Sequence, residues 1–280
     1  MEWPADYHMH TPLCRHARGE PVEYALRARE LGLREIGFTD HAPMPRDDFD
    51  DWRMHASELD AYIARVEAAR RAVPEVKIRL GLEVDYLPGL EPWIRDLAAR
   101  HAWDYLIGSV HYVSEDWAID HPQQVSRWDR SDPGAVWRAY LERLRAAAAS
   151  GLFDVLGHVD LPKKFGHRPP PDLVAVWREV FEAARGAGCA IEINTAGLRK
   201  PCAEIYPAPD LLRLACETGV ELTFGSDAHA PEEVGAGWDE AIRWARAVGY
   251  REWVRFDRRQ KSRVSLPEVC APGTESPWDR

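Results

Sequence analysis

The chain has 280 residues, 45% of them hydrophobic, and 36 Lys and Arg against 46 Asp and Glu give a net charge of −10. That content supports a core of barrel size in one domain, and the acidic balance argues against a general nucleic-acid or anionic-membrane binder. An anionic small molecule stays open, because bound divalent cations reverse the local field. Five cysteines (Cys14, Cys189, Cys202, Cys216, Cys270) show no C-x-x-C spacing and are odd in number, which fits a reducing compartment. The first residues carry no basic-then-apolar leader, and no stretch approaches the ~18–20 apolar residues of a spanning helix. The expected setting is cytoplasmic, without membrane contact. Residues 271–280 read as a frayed tail, leaving 1–270 as a single domain.

In chain order, short apolar runs alternate with helical periodicity. Tyr7-His8-Met9-His10 opens the chain, and residues 21–31 follow with apolar positions at helical spacing. Ile36-Gly37-Phe38-Thr39-Asp40-His41 precedes a helix over 58–72. Ile78 to Glu83 and Leu106 to His111 are the next strands, and an alanine-rich helix covers 134–149. Val155-Leu156-Gly157-His158 precedes a helix over 171–187 that opens on prolines. A strand over 190–193, a helix over 210–218, and Leu222 to His229 follow. A helix over 231–248 and a last strand over 253–256 close the order. Such alternation implies parallel strands with crossover helices. Because functional groups gather at strand C-terminal ends, a closed β/α barrel of seven or eight units is expected over an open sheet. No G-x-G-x-x-G follows the first strand.

The strand ends carry the chemistry. Of eleven histidines, seven fall at strand ends or adjoining loops: His8, His10, His16, His41, His111, His158 and His229. Residues i and i+2 of a strand share a face, so His8 with His10, and Asp227 with His229, can each grip one ion. Glu83 ends its strand in the same way. So many buried imidazoles without a cation would be costly, so a metal site is expected. The remaining histidines (His55, His101, His121, His167) lie in polar contexts and read as surface or turn residues. Cys14, between His10 and His16, is a candidate thiolate ligand but reads first as a packed loop residue, since nitrogen and oxygen donors suffice for Zn, Mn or Fe.

At these residues the chain resembles the polymerase-and-histidinol-phosphatase (PHP) family of metal-dependent phosphoesterases. The motifs are His8-Met9-His10, Cys14-Arg15-His16, Phe38-Thr39-Asp40-His41, Gly81-Leu82-Glu83, Gly108-Ser109-Val110-His111, Gly157-His158-Val159-Asp160 and Gly225-Ser226-Asp227-Ala228-His229, in family order. Residues 117–122, 194–199 and 204–207 are similar to its monofunctional histidinol-phosphate phosphatases. The resemblance implies a distorted (β/α)7 TIM-like barrel with two to three divalent ions. It places one ion on His8, His10, Glu83 and Asp227, a second on Glu83, His111 and His158, and a third on His16, His41 and His229.

The implied reaction is hydrolysis of a phosphate monoester, L-histidinol phosphate to L-histidinol and phosphate, by a metal-bridging hydroxide. Arg199 is the first candidate for the phosphate clamp, since a guanidinium grips an anion bidentately; Lys163 and Lys164 are next, followed by Arg15 and Arg168. Glu192 is a candidate for the substrate's ammonium or imidazole. Asp40, Asp160 and the ligand histidines, His229 among them, are candidates for assisting the leaving alkoxide, and Asp40 equally for orienting a ligand. The expected partner is a small phosphate ester, on a monomer or homodimer. The competing activity is a phosphodiesterase or exonuclease acting on nucleotides, which predicts a basic groove that this acidic chain does not suggest.

Overall fold

The structure is a computed structural model that describes residues 3–268. Six strands form one parallel sheet in the order β1 (Glu35–Phe38), β2 (Lys77–Asp85), β3 (Tyr105–Ser109), β6 (Val155–Leu156), β7 (Ala190–Asn194) and β8 (Leu222–Gly225). The seventh stave is the irregular segment that carries His8 and His10. Parallel bridges join Asp6 to Ile36 on one side and Met9 to Ala228 on the other, so this segment stands between β1 and β8. Tyr7 N–H donates to the Phe224 carbonyl at 3.0 Å and Gly37 N–H to that of Asp6 at 2.7 Å. The sheet thus curls back on itself, as a distorted seven-unit barrel requires.

Helices α1 (Pro21–Glu30), α2 (Leu59–Ala72), α3 (Glu91–Ala99), α4 (Pro133–Ala149), α5 (Val174–Ala187), α6 (Pro209–Thr218) and α7 (Trp238–Val248) supply the crossovers and the outer layer. Local chemistry sets their ends. Asp132 caps α4 by accepting from Gly134 and Ala135 N–H at 3.1 and 3.2 Å, with Pro133 at the first helical position. Gly188 and Gly219 end α5 and α6 in the left-handed conformation. Two expected helices begin late: Pro171–Leu173 and Pro231–Glu233 are single 3-10 turns. In the second case Gly235 and Gly237 take φ of 65° and 78°, which breaks the helix before Trp238. Helix α3 was not expected; only Ile94 and Leu97 in it are buried, too few to write a period. The short hairpin β4 (Tyr112–Ser114) and β5 (Trp117–Ala118) was also not expected.

The expected last strand, β9 (Glu252–Asp257), does not join the barrel. It pairs antiparallel with β10 (Gln260–Ser265) and lies under the N-terminal ends of the strands. Thr223 Oγ1 donates to the Val254 carbonyl at 3.2 Å and Phe256 N–H to Tyr7 Oη at 3.4 Å. Carboxylates at that end are met by guanidinium groups: Arg79 on Glu35 (2.9 Å) and Asp104 (3.2 Å), and Arg259 on Asp154 (2.8 Å). One continuous apolar core runs from Ala5 to Leu266. No helix among the described residues is long and apolar enough to cross a membrane. The expected frayed tail, 271–280, and Cys270 lie outside the described residues.

Candidate metal centre

Each stave delivers its donor at the same end of the barrel. The N-terminal segment brings His8 and His10, the end of β1 brings Asp40 and His41, and β2 brings Glu83 and Asp85. His111 follows β3, His158 follows β6, Glu192 lies within β7, and Asp227 and His229 follow β8. The late pair does not sit on a strand as expected. β8 ends at Gly225, and Asp227 takes φ of 53°, a left-handed conformation unusual for a residue with a side chain. Glycine makes room where backbones crowd the donors. A Cβ on Gly225 would lie 2.6 Å from His8 Cβ and 2.5 Å from Glu192 Oε2, and one on Gly157 would lie 2.4 Å from Ser109 Oγ.

Glu83, 1% exposed, is the hub. Its Oε1 accepts from Ser109 Oγ at 2.6 Å and from His158 Nε2 at 2.9 Å, and His111 Nε2 stands 3.6 Å away. Its Oε2 has His41 Nδ1 at 2.8 Å, His8 Nε2 at 3.4 Å and His10 Nε2 at 3.7 Å. Asp227 Oδ1 lies 3.2 Å from His10 Nε2 and 4.0 Å from His8 Nε2. On the outer side His16 Nε2 and His229 Nε2 face each other at 2.9 Å. Burial opposes ionisation of Glu83, but His41, His8 and His111 nearby hold its carboxyl well below the usual range. Asp227 is depressed in the same way, against burial, by His8 and His10.

These donors suit a cation. His8 Nε2, His10 Nε2, His41 Nδ1 and Glu83 Oε2 are buried and find no hydrogen-bond partner among the described residues; His41 Nδ1 stands 2.8 Å from Glu83 Oε2 but outside hydrogen-bond geometry. An unpaired buried polar atom costs roughly 1–3 kcal/mol, so a tight set of them facing inward is expensive unless an ion fills it. The groups His8–His10–Asp227, His41–Glu83–His111 and His10–His41–His229 each present donor atoms within 4.8 Å of one another. Imidazole and carboxylate donors match Zn, Mn and Fe. His41 stands in two of these groups, so the third implied ion shares its neighbourhood with the second.

On His8, His10, His16, His111 and His229 the nitrogen turned away from the cluster is held. His8 Nδ1–H donates to Glu192 (3.0 and 2.9 Å), and His111 Nδ1–H to Asp85 Oδ1 (2.9 Å). His10 Nδ1 faces Asp40 Oδ1 at 3.4 Å. His16 and His229 use the carbonyls of Cys14 (2.7 Å) and Asp227 (3.0 Å). A carboxylate can only accept, so Nδ1 of His8 and of His111 carries a proton, and Nε2 of each points at the cluster.

The other expected site residues fall into two sets. Asp40 also accepts from Thr11 and His41 N–H (3.2 and 2.9 Å), which places it behind His10. Glu192 accepts further from His158 N–H and Asn194 Nδ2, both at 2.9 Å, and is fully buried. Lys163 is fully buried too, with its ammonium on Asp160 (2.8 Å), Glu204 (2.9 Å) and the Ile205 carbonyl (2.5 Å). Asp160 accepts also from Ala208 N–H at 2.8 Å, and burial raises its carboxyl despite Lys163. None of these four reaches the open pocket. Arg15 and Lys164 do line that cavity of about 520 Å3. Arg15 is paired with Glu58, and Lys164 with Asp120 at 2.9 Å; Lys164 and His111 hold the Asp120 carboxyl down at about 2, against burial. Arg199 is not among the residues lining the cavity; its Nη2 donates to the Ser226 carbonyl (2.8 Å) and its Nε faces Glu233 (3.3 Å).

Sequence reasoning missed Asp85, Trp52, Arg53, Asp120, His121 and Lys200. Trp52, Asp120, His121 and Lys200 line the cavity, and Asp85 and Arg53 stand behind it. For Asp85 a signal existed: it is two residues from Glu83 on β2, the alternation already used for His8 and His10.

A parallel α/β barrel with imidazoles and carboxylates converging at one mouth defines a barrel protein with groups that could hold metal ions. The comparisons give the family: the PHP domain matches residues 6–196 and a PHP-associated region residues 211–248, so the chain belongs to the PHP family. A probable histidinol-phosphatase of Deinococcus radiodurans is 46% identical over 256 residues, covering 91% of this chain and 97% of that protein. The histidinol-phosphatase of Bacillus subtilis is 29% identical over 259 residues, covering 84% and 96%. A crystal structure of histidinol phosphate phosphatase from Lactococcus lactis, complexed with zinc, L-histidinol and phosphate, has a TM-score of 0.77 at 21% identity. It covers 94% of this chain and 100% of that one, and its likeness bears on the fold.

Proposed function

We propose that this chain is a phosphoric monoester hydrolase that converts L-histidinol phosphate to L-histidinol and phosphate in histidine biosynthesis. The observation that carries the reading is the complete donor set around Glu83, in a chain 46% identical to a probable histidinol-phosphatase. Residues 1–270 would act as one unit in the cytoplasm, with a small phosphate ester as partner and no nucleic acid. Monomer and homodimer both fit.

Two to three divalent ions, drawn from Zn, Mn and Fe, would be held by His8, His10, Glu83 and Asp227, by Glu83, His111 and His158, and by His16, His41 and His229. Such ions lower the pKa of bound water toward ~7 and neutralise phosphoryl oxygens. The protein's own work is placement. Glu192, Asp85 and Asp40 fix the rings of His8, His111 and His10 from behind, which makes Asp40 and Glu192 orienting groups in this reading. Glu83 sets its two oxygens toward different imidazoles, as a bridge must. Arg199, tied to the carbonyl beside Asp227, is the phosphate clamp in this reading. Arg199→Ala is expected to raise KM for phosphomonoesters about tenfold or more, the scale of one charge-assisted contact; an unchanged KM reassigns the clamp.

The reading itself is tested with purified, metal-loaded protein on a panel of phosphomonoesters and phosphodiesters. Histidinol phosphate should lead in kcat/KM over nucleotides and diesters. A preference for diesters would replace it.

A further inference from the structure

Arg53 sits in the loop between β1 and α2, a segment without regular structure from which no periodicity could single it out. Its side chain is 5% exposed and every arm of the guanidinium is used. Nε donates to both oxygens of Asp50 (2.9 and 2.8 Å), Nη1 to the carbonyl of Ala42 (3.1 Å), and Nη2 to Asp85 Oδ2 (2.9 Å). The other oxygen of Asp85 accepts from both the backbone N–H and Nδ1 of His111, at 3.2 and 2.9 Å. Ala42 is the residue after His41, and its N–H donates to the Glu83 carbonyl at 2.8 Å. The Arg53 guanidinium also lies 4.1 Å from the centroid of the Trp52 ring. That ring is edge-on to both His41 (4.7 Å) and His111 (5.3 Å). One buried cation therefore touches, through a carboxylate, a carbonyl and an indole, the supports of two imidazoles that face Glu83.

We propose that Arg53 is a positioning residue for His41 and His111, so that the hold of the His41–Glu83–His111 group on a divalent ion depends on it. The inference rests on the metal-site reading and not on which ester is cleaved. Arginine suits the task because its planar fork reaches Asp50, Asp85 and the Ala42 carbonyl together. An ammonium on a flexible stem keeps the charge and loses that geometry.

The test measures divalent-ion affinity of metal-stripped protein by competition with a chromophoric chelator, and the visible absorption of the Co2+-loaded protein; turnover does not enter. Arg53→Lys should weaken one class of ion about 10–100-fold, the range for groups behind a ligand. It should also shift the Co2+ bands while leaving the far-ultraviolet circular dichroism of the stripped protein in place. Asp85→Asn should weaken the same class of ion. The double variant should be no weaker than the worse single one, because both act along one path. Arg53→Lys binding every ion as tightly as the unsubstituted protein overturns the role, as do fully additive losses. Should Arg53→Lys not fold, an unchanged affinity in Asp85→Asn overturns it equally. An unsubstituted protein that binds no divalent ion overturns the metal reading along with this one.

Discussion

Glu83→Gln is expected to lower kcat for phosphomonoesters by about a thousandfold or more, a loss on the scale of removing a group that stabilises transition-state charge. The substitution keeps the shape of the side chain and removes its charge. In place of a carboxylate with His158 and Ser109 on one oxygen and His41, His8 and His10 around the other, the barrel would hold a neutral amide. Its NH2 would point donors at nitrogens that need an ion between them. Metal analysis of the same preparation should find at least one ion fewer per chain. Turnover within about tenfold of the parent, with full metal content, would remove Glu83 from the bridging position.

Lys163→Met should destabilise the fold by about 3–5 kcal/mol, the cost of breaking a buried pair by removing one partner. Asp160, 1% exposed, would lose its only cationic neighbour among the described residues, and the Ile205 carbonyl its donor. The denaturation midpoint in urea reports this directly. The alternative role, a phosphate contact, makes the opposite forecast: an unmoved midpoint and a raised KM. The geometry favours the first outcome, because the ammonium joins the turn after His158 to the segment around Tyr206 and does not open to the cavity.

Much of this arrangement was legible in the residues because the site is written locally. Each donor follows its own apolar run, so His41, His111 and His158 could be placed at barrel ends without knowing their neighbours. The parallel architecture followed from the same alternation. What could not be read is contact between residues remote in sequence. Lys163 and Lys164 are adjacent, yet one is locked under Tyr206 and the other lines the cavity, and no periodicity separates them inside a 3-10 turn. Glu192 and Asn194 share a strand face, but only the packed barrel shows that face turned to His8. Arg53 meets Asp85 across 32 positions from within a loop. The closed barrel was expected, whereas the irregularity of its first stave was not: the segment read as a strand carrying His8 and His10 is held by isolated bridges on both sides.

That closing stave has a bearing on how the protein comes into being. Tyr7 pairs with Phe224 and His10 with Ala228, so residues 7–10 wait for partners made much later in synthesis. A nascent chain halted before β8 has His8 and His10 but neither Asp227 nor the edge that holds them. Joining segments so distant is a slow, entropically costly step. The His8–His10–Asp227 group is therefore assembled only after β8 has been made.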